Sequence, residues 1–151
     1  MIRFWLGLTL CLLFITAITQ KVVGAQSDVA PPLTTIMVNS PLDIVADDGQ
    51  CTLREAVTAA NTDNTSGSQV GECAAGEGAD TIAVPAGHYT IGIIGSNEDN
   101  NQTGDFDLLS EITLKGAGAD VTILDGAQID RLLDVRADRV TVEGITITHG
   151  R

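Results

Sequence analysis

The sequence predicts an all-β chain, the start of a parallel β-helix (a solenoid of stacked strands) with one α-helical cap at its N-terminal end. Three observations predict it. From Asp80 onward, short segments alternate apolar and polar residues with period two and end at Gly or Asp. Two of them, Ile112-Thr113-Leu114-Lys115-Gly116 and Val140-Thr141-Val142-Glu143-Gly144, are near copies 28 residues apart, and self-similarity on that scale marks an array of repeats. Helical periodicity occurs at residues 52–61, where Leu53, Ala56, Val57 and Ala60 make an apolar face about two turns long. So short a helix is not stable alone. The open end of a solenoid, with unpaired backbone groups and apolar interior, is a surface for it to cover.

Residues 1–25 read as an export signal. Arg3 supplies the positive start, residues 4–18 form an uncharged and almost unbroken apolar run, and Val23-Gly24-Ala25 places small residues before a cut at Gln26. The run is shorter than the roughly 20 residues that span a bilayer, so no membrane span is expected once the signal is removed. Cys11 lies inside the run behind the bulky Leu10, which argues against a lipid-modified start.

Residues 26–79 form the expected cap region. After a polar and Pro-Pro lead-in, Ile36 with Val38 and Ile44 with Val45 suggest strand pieces around a Ser40-Pro41 turn. Asp47-Asp48-Gly49 turns into the helix. Thr52 and Glu55 have capping-box spacing: the hydroxyl can accept the N–H of the third helical residue while the carboxylate reaches back to the Thr52 N–H. Residues 61–78, rich in Asn, Thr, Ser, Gly and Glu, read as a loop. Residues 80–151 hold the first coils, with alternating Ile, Leu and Val directed inward and the Thr residues between them outward. An antiparallel sandwich also uses short alternating strands, but the near-repeat and the scarcity of aromatic residues favour the solenoid.

Loss of Arg3 and Lys21 with the signal takes the formal charge from −12 to −14. Nucleic acid and anionic lipid need a basic footprint and are disfavoured as partners; divalent cations are not. Cys51 and Cys73 remain in the exported chain, and two cysteines there most simply form one disulfide. A metal site would need further soft ligands, and His88 and His149 lack metal-site spacing.

Cys51-Thr52-Leu53-Arg54-Glu55-Ala56 resembles the signature of the CSLREA domain, the N-terminal module of many secreted bacterial right-handed parallel β-helix proteins. The similarity continues through residues 80–89, Glu98-Asp99, residues 103–107 and Gly116-Ala117-Gly118, and so covers nearly all of the exported chain. Thr52 replaces the usual Ser and keeps the capping hydroxyl. The resemblance implies export and a pectate-lyase-like, right-handed coil, and it implies no activity. Such proteins usually continue for many coils, so a truncated chain is expected, whose exposed last coil favours self-association.

The acidic loop at residues 99–107 is the best chemical candidate. Asp99, Asn101, Thr103, Asp105 and Asp107 place oxygen side chains at alternate positions, with Gly104 sixth, as in a Ca²⁺ loop; the bidentate Glu at position twelve is missing, and a solvated loop is the plainer account. Gly116-Ala117-Gly118 reads as a tight turn rather than a phosphate cradle. The acids and bases between Asp125 and Arg139 read as a salt-bridged rim, and Arg54 as a structural cation for Glu55 or Asp80. Asn64-Thr65-Ser66 and Asn101-Gln102-Thr103 match the N-glycosylation pattern. The expectation is a secreted or cell-surface capping module that is structural or binding rather than catalytic, with a polysaccharide or cell-surface ligand. The alternative is the N-terminal part of a polysaccharide lyase or hydrolase.

Overall fold

A computed structural model describes residues 33–151. The expected export segment, residues 1–25, lies outside the described residues. Among those described, nine strands and one helix occur: β1 (Thr35–Met37), α1 (Leu53–Thr62), β2 (Asp80–Val84), β3 (Gly87–Thr90), β4 (Phe106–Leu108), β5 (Ile112–Gly116), β6 (Thr122–Asp125), β7 (Leu133–Val135), β8 (Val140–Glu143) and β9 (Thr146–Thr148). Every strand pairing is parallel, in three sheets of order β1-β2-β5-β8, β3-β6-β9 and β4-β7. From β2 onward each strand therefore pairs with the strand three places later. The chain is mostly strands in parallel sheets with one helix, and the antiparallel sandwich is excluded for these residues.

The register follows the sequence repeat. Ile112 lies opposite Val140 and Leu114 opposite Val142, as the near copies require. Ile36, Ile82 and Leu114 form an inward column with no exposed surface, while Thr35, Thr81, Thr113 and Thr141 form the adjacent outward column. Tyr89 and Leu124 continue the core in the second sheet, and Phe106 and Leu108 in the third. Gly116 and Gly144 stack at the same bend in successive turns of chain. A Cβ on Gly116 would run into the Gly144 carbonyl, so the close approach requires glycine there.

Helix α1 begins as its sequence predicts. Thr52 is the N-cap; its hydroxyl accepts the Glu55 N–H, and the Glu55 carboxylate accepts the Thr52 N–H (2.9 Å). The helix packs against β1, β2 and β4 and buries Leu53, Ala56, Val57, Ala59 and Ala60. It ends at Asp63, whose backbone is left-handed (φ 54°). Cys51 and Cys73 form a disulfide that ties the loop after the helix to the residue before it.

Two local expectations differ. Ile44 and Val45 are not a strand: the Ile44 carbonyl accepts the Thr52 hydroxyl and the Ala46 N–H donates to Glu55, so this segment wraps the helix start. Residues 106–108, read as the end of an acidic loop, are instead β4, with all three side chains buried.

Candidate functional site

One face of the fold is organised by a buried arginine. Arg54, in the first turn of α1, has no exposed surface. It pairs with neither Glu55, which is used in the capping box, nor Asp80, which accepts the Glu77 N–H. Its partner is Asp43, through Nε–Oδ1 (2.6 Å) and Nη2–Oδ2 (3.0 Å). The remaining guanidinium hydrogens go to the carbonyls of Gly104 (2.7 Å), Asp105 (3.2 Å) and Asn101 (3.4 Å), and the Phe106 ring lies 4.8 Å from the guanidinium carbon. Asp43 also accepts the N–H groups of Gly92 and Ile93. The expected charge pairing is thus corrected: the cation is shared between the segment before the helix and the acidic loop, with a fork geometry that suits several oxygens at once.

The acidic loop is held from inside by Glu98. Burial opposes its charge, but the N–H groups of Thr103, Asn100 and Gln102 outweigh that and keep its carboxyl below the ordinary range. Asn101 is left-handed (φ 58°) and buried; its Nδ2 donates to the Arg54 carbonyl (2.8 Å) and Thr58 Oγ1 (2.9 Å). A side chain so enclosed is no acceptor for a glycan in the folded protein.

The five residues of the alternate-position calcium pattern go to different partners. Asp105 is buried and pairs with Arg131. Thr103 packs against Gly95. Asn101 turns its amide nitrogen to the helix. Only Asp99 and Asp107 share a cluster, and its third member is Asp134, from the next strand of the sheet; one carboxylate oxygen from each lies within 4.8 Å of the others. The physical reason is the strand β4. Its parallel pairing with β7 sets Asp107 opposite Asp134, and that juxtaposition carries no local spacing signal. Asp107 has no exposed surface, its Oδ2 accepts the Asn101 N–H (2.7 Å), and its Oδ1 has no hydrogen-bond partner. Burial, reinforced by nearby Asp105, Glu98 and Asp134, pushes its carboxyl up. Asp99 and Asp134 share Arg136, which is half exposed, and Arg131 also reaches Asp134.

A second cluster joins residues that look unrelated in sequence. His88 Nε2 lies 3.4 Å from Asp125 Oδ2, and His149 Nδ1 lies 3.0 Å from Asp125 Oδ1. The pairing of β3, β6 and β9 creates this bridge, so the two histidines meet one carboxylate despite their distance along the chain. The Gly116-Ala117-Gly118 segment is a turn from β5 to β6, as expected.

Among the described residues no helix is long and apolar enough to cross a membrane. No family model, no curated protein and no solved structure matches the chain.

Proposed function

We propose that the chain is the capping module and first coils of an exported, surface or adhesion-type right-handed parallel β-helix protein of the CSLREA kind, structural or binding rather than catalytic. The position of α1 carries this reading. The helix packs against β1, β2 and β4, near the beginning of the parallel sheets, and is buried along most of its length. A lid of this kind answers the open end of a stack. Pairing of each strand from β2 onward with the one three later is what a three-faced coil requires, and the outward Thr column offers hydroxyls at strand spacing, about 4.8 Å, to a polysaccharide or other cell-surface ligand. Arg131, Arg136 and Arg139 each pair with a carboxylate, which favours a braced rim over a catalytic groove.

Replacing Leu53, buried under the lid, with Asp tests the reading: secretion and the cooperative unfolding transition should both be lost. Export at wild-type yield with an unchanged transition would overturn it. Incubation with acidic polysaccharides should yield no unsaturated product and no new reducing ends; either product would favour the lyase or hydrolase instead. The outer edge of β8 has no strand partner among the described residues, so the protein should also self-associate with rising concentration, and Val142→Lys should suppress this.

A further inference from the structure

We propose that Asp99, Asp107 and Asp134 form a binding site for a divalent cation of the Ca²⁺ class. Two independent observations meet here. First, three carboxylates, two from the paired strands β4 and β7 and one from the loop before β4, place one oxygen each within 4.8 Å of the others. Asp107 and Asp134 are direct neighbours across a parallel ladder, where like charges oppose each other. Second, Asp107 is completely buried and its Oδ1 receives no hydrogen bond, although a buried carboxylate oxygen without a donor is strongly disfavoured. Asn101, whose N–H donates to the other Asp107 oxygen, also has a buried side-chain oxygen without a donor. Both the repulsion and the missing partner are answered by one positive ion.

The chemistry of the donors selects its class. All three are hard oxygen ligands, with no sulfur or imidazole in the group, which suits Ca²⁺ rather than zinc or copper. Waters would complete the shell on the exposed Asp99 side. Arg136 at present balances the outer two carboxylates, Asp99 and Asp134, and does not pair with Asp107. A bound ion would take its place, so Arg136 is a competitor for the site rather than part of it.

The test is calorimetric titration of the purified protein with CaCl₂, together with thermal unfolding in CaCl₂ and in NaCl of matched ionic strength. Saturable binding at submillimolar to millimolar concentration is expected, with a rise in unfolding temperature beyond that in NaCl. Asp134→Asn, on the outer side of the cluster, should weaken binding about tenfold or more by removing one ligand charge. Asp63→Asn, at the exposed helix end, should leave it unchanged, and Arg136→Gln should tighten it. No saturable heat up to about 10 mM Ca²⁺ would overturn the proposal. So would an unchanged affinity in Asp134→Asn, a weaker one in Arg136→Gln, or equal stabilisation by NaCl, which would reduce the effect to screening of an acidic chain.

Discussion

Asp43 and Arg54 form a two-point ion pair in which the arginine has no exposed surface and the carboxylate side chain almost none. The pair joins three segments at once, because Asp43 also accepts from Gly92 and Ile93 while Arg54 reaches the carbonyls of Asn101, Gly104 and Asp105. Arg54→Met should therefore destabilise the fold by about 3–5 kcal/mol, since it strands a buried carboxylate. Arg54→Met combined with Asp43→Asn should recover part of that loss, because the amide oxygen still serves the Gly92 and Ile93 N–H groups. Urea unfolding midpoints of the three proteins decide it.

Cys51 and Cys73 close a loop with a separation of 22 residues. Replacing both with Ser should lower stability by roughly 3 kcal/mol through the freedom regained by the unfolded chain. The drop should be reproduced by reducing the wild-type protein and should be absent when the double variant is treated with the same reductant.

Asp80 carries a buried Oδ2 without a donor, and burial pushes its carboxyl up. A group whose folded pKa is raised stabilises the fold at pH below its unfolded value, and that contribution disappears as pH rises through the folded value. At neutral pH the charge is thus unfavourable. Asp80→Asn keeps the Oδ1 acceptor for the Glu77 N–H (2.9 Å) and should raise the neutral-pH unfolding temperature by a few degrees, about what 1 kcal/mol produces in a domain this size. Toward acid the two proteins should converge.

Asp125 has the opposite sign. The Ala127 N–H holds its carboxyl below the ordinary range; burial, the next largest effect, opposes this, and His149 and His88 add to the lowering. Its contribution is present above the unfolded value, near pH 3.9, and is lost as pH falls through the lower folded value. Asp125→Asn should be less stable than wild type at neutral pH and indistinguishable from it at about pH 2. Thermal melts across that range read the crossover.

A feature is legible in the sequence where its signal is local. The capping pair Thr52 and Glu55 lies within one helical turn, and the match of Ile112 to Val140 is written as a repeat, so both could be read directly. Strands β4 and β7 are three residues long with an aspartate in the middle of each, too short for alternation to stand out from loop. The acidic loop stands out by composition, yet its cluster needs Asp134, which only the parallel register supplies. The sequence marks Arg54 as a structural cation but does not point to its partner, because Asp43 sits in an irregular segment with no period to follow. His88 and His149 show no metal-site spacing in the sequence, and the link between them, Asp125, is made only across two strand pairings.

The three-place pairing rule also governs how this molecule is built in time. From β2 on, every ladder closes a stretch of roughly thirty residues, far shorter than the chain, so no contact waits for the distant terminus to arrive. Helix α1 and the disulfide beside it precede eight of the nine strands in the chain. A chain folding from its N-terminal side can thus form α1 early and add each later strand to the open hydrogen-bond row of the strand three places before it.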